Sequence, residues 1–185
     1  MAGATLTARF DDSQVRRAFL ALAAIGRDGG VLGAIGVGLA RNTRERFDQA
    51  QDPDGQPWAS LHPLYAPLKR GPGILRESGM RGGLQGSITS QVAGRSVIVG
   101  SNKIYAAVHQ FGATIRAKNA PALVFRLATG RTITGKRGRT SPETSLVFVE
   151  SVTIPARPYL GLSRRDEDTV REVVFGALQR AMGGR

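Results

Sequence analysis

The run from Ile98 to Gly112, Ile-Val-Gly-Ser-Asn-Lys-Ile-Tyr-Ala-Ala-Val-His-Gln-Phe-Gly, constrains the fold more than any other stretch. It compresses a strand end, a turn, a short helix and a stop. Val97-Ile98-Val99 is β-branched and suits a half-buried, pleated backbone. Gly100-Ser101-Asn102 supplies turn chemistry, and the Ser or Asn oxygen can accept from the free amides of a first helical turn. Ile104, Val108 and Phe111 then recur at i, i+4 and i+7, one apolar stripe of a helix. Gly112 stops it, because glycine enters the left-handed region without steric cost. Tyr105 and His109 are four residues apart, so they share a face and can touch.

Helical periodicity brackets this run on both sides. Asp11-Asp12-Ser13 offers capping oxygens, and Val15, Phe19 and Leu22 give an amphipathic helix over residues 12–26. Arg27-Asp28-Gly29-Gly30 breaks it, and a second helix runs from Val31 to about Ala50. There Gly33, Gly36 and Gly38 lower intrinsic helicity but let a neighbouring helix come close. Near the C-terminus, Ser163-Arg164-Arg165-Asp166 has the form of a capping box with aspartate in the Glu/Gln place. Val170, Val173, Val174, Ala177, Leu178 and Ala181 make a wide apolar face behind it.

Between these helices the pattern turns to strands and loops. Gln51 to Trp58 is a Pro/Gly/Asp loop that partly resembles a calcium loop, yet it lacks the later ligand positions and the closing glutamate. Trp58 reads as a packing residue. Residues 62–69 suit a short helical turn limited by Pro67. Leu84 to Val92 and Arg95 to Val99 form a hairpin about Ala93-Gly94. Ala122–Leu127 and Arg131–Thr134 read as two short strands, and Ser145–Ile154 as one strand covered by helices, stopped by Pro155 and Pro158. The predicted class is α+β: an antiparallel or mixed sheet packed by two N-terminal helices and a C-terminal helix, with an extended basic loop. Residues 1–185 read as one domain, with 113–142 a loop or β-arm insertion.

Charge is unevenly spread. The net charge is +12, yet between Glu77 and Glu143 there is no carboxylate and there are ten Lys or Arg residues. Such a field favours a polyanion or an acidic protein surface, or it is a solvated basic face. Arg116, Lys118, Arg131, Lys136, Arg137 and Arg139 are the candidates for DNA or subunit contact. Gly135–Thr140 is a basic loop tip but not a phosphate-binding Walker loop, whose glycine and Ser/Thr positions it lacks.

With no cysteine, disulfides and thiolate chemistry are excluded. The two histidines, His62 and His109, lack metal-ligand spacing, and no nucleophile elbow occurs. His109 with Tyr105 reads as a histidine donating one hydrogen bond in a packed corner rather than as an acid/base pair. The chain reads as a non-enzyme without cofactor or metal. No signal peptide is evident, and the longest apolar run, Gly29–Ala40, is too short to span a bilayer, so a soluble, cytoplasm-made protein is expected.

Five segments, in order, resemble the phage virion morphogenesis family, the tail completion proteins of Mu-like phages and related neck proteins. They are Asp-Pro-Asp-Gly-Gln-Pro-Trp at 52–58, Ile-Leu-Arg-Glu-Ser-Gly at 74–79, Gly-Ser-Ile at 86–88, residues 99–112, and Pro-Ala-Arg-Pro-Tyr-Leu-Gly-Leu at 155–162. The resemblance spans about residues 12–180; Ala113–Pro142 aligns to no motif, and Met80-Arg81-Gly82-Gly83 stands where a leucine after the glycine is expected. It implies motif roles for Asn102, Tyr105, His109, Gln110, Phe111, Gly112, Pro155, Arg157, Pro158 and Tyr159. It also implies a structural virion protein at the head–tail junction, assembled in the host cytoplasm as a homo-oligomeric ring, commonly six-fold. Its implied partners are neck, head-closure, tail tube or tail terminator proteins, with genomic DNA in the channel and no membrane. The rival class is a free non-specific or regulatory DNA-binding protein, for which Arg41, Asn42, Arg44 and Arg46 would form a reading face on one helix.

Overall fold

A computed structural model describes residues 12–77, 83–134 and 140–183. Helix α2 (Gly29–Gln49) is its axis. Asp28 caps it, its carboxylate accepting from the Gly30 and Val31 amides at 2.7 and 3.4 Å. The expected break therefore lasts only from Gly26 to Asp28, and Gly29 already belongs to the helix. Helix α1 (Ser13–Ile25) precedes it. Asp12 does not cap α1 with its side chain; its carboxylate pairs with Arg16 at 3.0 Å instead. Asp11 lies outside the described residues.

After α2 come a 3-10 turn (Ala66–Leu68), a helical turn α3 (Gly83–Gly86) and the antiparallel hairpin β1 (Ile88–Ala93) and β2 (Ser96–Ser101). The expected strand from Leu84 starts only at Ile88, because Leu84 turns into the core on α3 and is 1% exposed. Helix α4 (Ala106–Phe111) and strand β3 (Ala113–Arg116) follow. Then β4 (Leu123–Thr134) and β5 (Thr140–Val149) pair along their lengths, and β6 (Ser151–Ile154) returns to β3 before α5 (Arg164–Gly183).

Two sequence expectations change here. The two short strands around Ala128-Thr129-Gly130 are one strand, β4, with a register irregularity between Ala128 and Thr132 that absorbs the turn-like residues. The single strand at 145–154 is two, bent at Glu150, with β5 committed to β4 and β6 to β3. Among the described residues no helix covers β5, and Leu146 and Phe148 are exposed. The class itself, α+β with two N-terminal helices and a C-terminal helix, holds, and the sheets are three antiparallel pairs among the described residues.

The core has two parts on α2. One gathers Ala40, Phe47, Trp58, Leu84, Ile88 and Tyr159. The other joins Ile25, Val31 and Ile35 to Ala177 of α5. Two of the three glycines expected to allow close approach do so, Gly38 to a helix and Gly36 to the hairpin, whereas Gly33 has open space where a Cβ would stand. A Cβ on Gly38 would lie 2.5 Å from Thr169 Cγ2 on α5, and one on Gly36 would crowd Ser90 and Val97. Trp58 packs edge-on against Phe47, ring centroids 5.3 Å apart. By contrast the expected apolar face of α1 stays largely exposed, Val15 at 53%, Phe19 at 69% and Leu22 at 49%. Among the described residues no single helix is long and apolar enough to cross a membrane; α1 and α2 pass that test only together, across a 63° bend.

Candidate functional site

The segment from Pro155 to Leu162 cannot satisfy itself as a strand, because prolines at 155 and 158 remove ladder donors and bend the chain. Its backbone groups are met from neighbouring elements instead. The Arg157 amide donates to His109 O at 2.7 Å. The Gln110 side chain acts as a substitute strand: Oε1 accepts from the Tyr159 and Leu160 amides, and Nε2 donates to Leu160 O, all at 3.0 Å. Trp58 Nε1 donates to Pro158 O at 2.8 Å, and Arg46 Nη1 donates to Tyr159 O and Gly161 O at 2.9 and 3.0 Å. Arg157, itself buried, donates to Ala59 O and Ser60 O at 2.7 and 2.9 Å. Tyr159 is 1% exposed, stacks obliquely on Phe47 and donates to Ala106 O at 3.2 Å. The 99–112 and 155–162 motifs thus form one seam, locked on its other side by α2 and the Trp58 loop.

Gly112 is where that seam is tightest. It does not take the expected left-handed helical conformation, but φ 74°, ψ 163°. Glycine alone adopts this region readily. A Cβ there would meet Ala156 N at 2.9 Å and Ile154 O at 3.1 Å. Gly112→Ala is expected to lower stability by about 1–3 kcal/mol from the backbone term alone. Chemical denaturation should show a lower midpoint at unchanged slope.

Behind the seam lies a buried polar knot. Arg46 pairs with Asp166 and donates to Ser163 Oγ at 3.2 Å. Asn42 Nδ2 donates to Asp166 Oδ1 and Thr169 Oγ1, both at 3.0 Å. The expected capping box forms: the Ser163 amide donates to Asp166 Oδ2 at 2.8 Å, and the Asp166 amide donates to Ser163 Oγ at 3.3 Å. Burial pushes the Asp166 carboxyl upward, but the Ser163 amide and hydroxyl, Asn42 and Arg46 together outweigh it and hold it below the ordinary aspartate value. This placement overturns the reading face expected on α2. Asn42 and Arg46 point inward at 3% and 4% exposure, Arg44 donates to Ile88 O, and Arg41 faces Glu45.

Tyr105 and His109 do touch, edge to face with centroids 5.9 Å apart. The Tyr105 hydroxyl donates to Glu77 Oε1 at 3.2 Å, and its pKa is raised by burial and by that carboxylate. Burial, then Arg157, lowers the His109 pKa against a smaller pull from Glu77. The hydrogen bond expected of His109 is not found at Nδ1, which is buried without a partner among the described residues. Nor do Ser101 and Asn102 cap α4, which starts later: Ser101 Oγ accepts from the Lys103 amide, and Asn102 is exposed. In the stripe Ile104–Val108–Phe111, Ile104 and Phe111 face outward at 99% and 78% exposure, whereas Val108 is half-buried. Among the described residues no group of three or more His, Asp or Glu could hold a metal ion.

The basic candidates are spread along the β3–β4 side. Arg116 ends β3, Lys118 lies in the link and Arg131 is on β4, as is Arg126, a further arginine of the carboxylate-free stretch; all are exposed. None of the four makes an ion pair among the described residues. Lys136, Arg137 and Arg139 lie outside the described residues. Sequence reasoning missed Arg46, Asn42 and Asp166 as a unit; its one available signal was the aspartate in the capping box.

Comparison with known proteins converges on one group. The phage virion morphogenesis family matches residues 10–179. The chain is 29% identical over 175 residues to the protein named "Putative capsid assembly protein G" of Escherichia phage Mu, covering 89% of this chain and 93% of that one. No solved structure matches significantly. With residues 10–179 matched, nearly its whole length, the chain belongs to the phage virion morphogenesis family.

Proposed function

We propose that this virion morphogenesis protein acts at the head–tail junction, as a tail completion or neck ring that lets a tail join a DNA-filled head. The observation that carries the reading is the β4–β5 hairpin, which exposes Val124, Leu146 and Phe148 on one face. A lone two-stranded ribbon is marginal in water, and clustered exposed apolar side chains mark contact surfaces. The uncovered face of α1 adds a second such surface. A homo-oligomeric ring, six-fold by the family resemblance, would cover both through head-to-tail contacts. Neck, head-closure, tail tube or tail terminator proteins would stack above and below it.

In this reading the basic tip, Lys136, Arg137 and Arg139, faces genomic DNA in the channel, where phosphate contacts are independent of sequence. Replacing the three by Gln should lower the log–log salt slope of duplex binding by about 2.7, three contacts at about 0.9 each, measured by fluorescence anisotropy. An unchanged slope would turn that segment towards a protein partner.

The reading is tested by complementation. Purified protein is added to a lysate holding filled heads and free tails from a phage defective in this gene. A rise in infectious titre is expected; no rise with folded protein counts against a role in joining. A free DNA-binding protein would instead bind one duplex sequence preferentially as a monomer or dimer.

A further inference from the structure

Strand β5 presents an edge that nothing among the described residues covers. The outer side of β4 is engaged once, where the Ala128 amide donates to Leu64 O at 2.8 Å. Residues 144–149 of β5 make no backbone hydrogen bond outside the ribbon among the described residues. Alternate residues of such a strand point their N–H and C=O groups away from the partner, and that row is a template for a further strand. Free edges are ordinarily blunted by a lysine, a proline or a bulge. Thr144-Ser145-Leu146-Val147-Phe148-Val149 has no charge and no proline, and its pairing with β4 is regular. The open face beside that edge, with Val124, Leu146 and Phe148, is apolar as well.

The same chain carries a matching strand. Residues 1–11 are the longest stretch outside the described residues, and the others hold five or fewer. Within it Ala4, Leu6, Ala8 and Phe10 alternate with Thr5, Thr7 and Arg9. Strict alternation over such a length is the pattern of a half-buried strand. At about 3.3 Å per residue, residues 4–10 and residues 144–149 each span roughly 20 Å when extended. Only Asp11 and Asp12 separate this stretch from α1, a common length for a strand-to-helix link. Behind the link, Val15, Phe19 and Leu22 of α1 are exposed. A third strand at β5 therefore brings an apolar helix face to an apolar sheet face.

The chain's own ribbon is not the recipient. Helix α1 packs on α5, and the ribbon meets the rest of the fold at the Ala66–Leu68 turn. A strand only two residues ahead of α1, laid along its own β5, would bring the start of α1 to the ribbon rather than to α5.

We propose that residues 4–10 of a second copy of this chain add a third strand along the free edge of β5, and that the second copy's α1 lays its exposed stripe on the ribbon's open face. The contact is heterologous, with each copy offering its N-terminal strand and helix to one neighbour and its ribbon to the other, so it closes by rotation into a ring. It rests on the ring reading above and supplies that ring's interface.

The test uses the full chain and two variants. Thr7→Pro with Ala8→Pro removes two consecutive amide donors, so one that faces β5 is lost in either register. Leu146→Asp with Phe148→Asp charges the ribbon's open face at two exposed positions. Circular dichroism and melting temperature of both should match the parent. Sedimentation velocity reads the mass, and hydrogen exchange reads the edge. The parent is expected to be a closed oligomer in which the 144–149 amides that point away from β4 are protected. Both variants are expected to fall to the mass of one chain, and the proline variant to lose that protection. An oligomeric parent with those amides unprotected, or a proline variant that keeps both mass and protection, would overturn this contact and leave the ring reading intact. A Leu146/Phe148 variant that stays oligomeric would overturn the packing of α1 on the ribbon. A parent that remains a single chain at all protein and salt concentrations would overturn the ring reading and this contact with it, and edge protection in that single chain would assign the strand to its own ribbon.

Discussion

Arg46→Ala is expected to destabilise the protein by about 3–5 kcal/mol, the range found when one member of a buried ion pair is removed. The guanidinium does more than neutralise Asp166. It also satisfies the Tyr159 and Gly161 carbonyls and the Ser163 hydroxyl, so its loss strands acceptors on two elements at once. The effect should be read by urea denaturation near neutral pH, and a loss under 1 kcal/mol would mean that the pair is not closed in solution. The partner carboxylate gives a pH signature. Its folded pKa is depressed, so between that value and the unfolded value of about 3.9 the unfolded chain binds the extra proton. Stability from this group is therefore full above about pH 3.9 and is lost as pH falls through the folded pKa. Asp166→Asn should flatten that acid limb as well as lower stability at neutral pH.

Tyr159→Ala should cost about 3–5 kcal/mol, as for other large buried aromatics. The ring is 1% exposed, contacts Phe47 and fills the junction between α2, α4 and the Pro155–Leu162 segment. Tyr159→Phe keeps the ring and loses only the bond to Ala106 O, a carbonyl of α4, for which about 1 kcal/mol is expected. The gap between the two variants separates packing from hydrogen bonding. Equal losses in thermal or chemical melts would contradict the packing account.

What the sequence reveals depends on whether the signal is local. The helices at both ends, the β1–β2 hairpin and the Ser163–Asp166 box follow from periodicity, turn residues and capping spacing, all readable within a few positions. The polar half of α2 is legible only in composition. Asn42 and Arg46 look like a solvated or DNA-reading face until α5 and the Gly161 turn, more than a hundred residues away, are folded against them. The split of 145–154 into two strands depends on which partner each half pairs with, and alternation along one strand carries no such information. The stripes on α1 and α4 satisfy helical periodicity, yet among the described residues Phe19 and Phe111 stay exposed. An assembly protein breaks the usual link between an apolar stripe and a core, because its cover can be another chain.

The central claim is tested most directly by electron microscopy of lysates from a phage that lacks only this gene. Intact, DNA-filled heads beside separate, unjoined tails are the predicted result. Normal infectious virions would contradict the claim, and loss of both heads and tails would move the protein to an earlier assembly step.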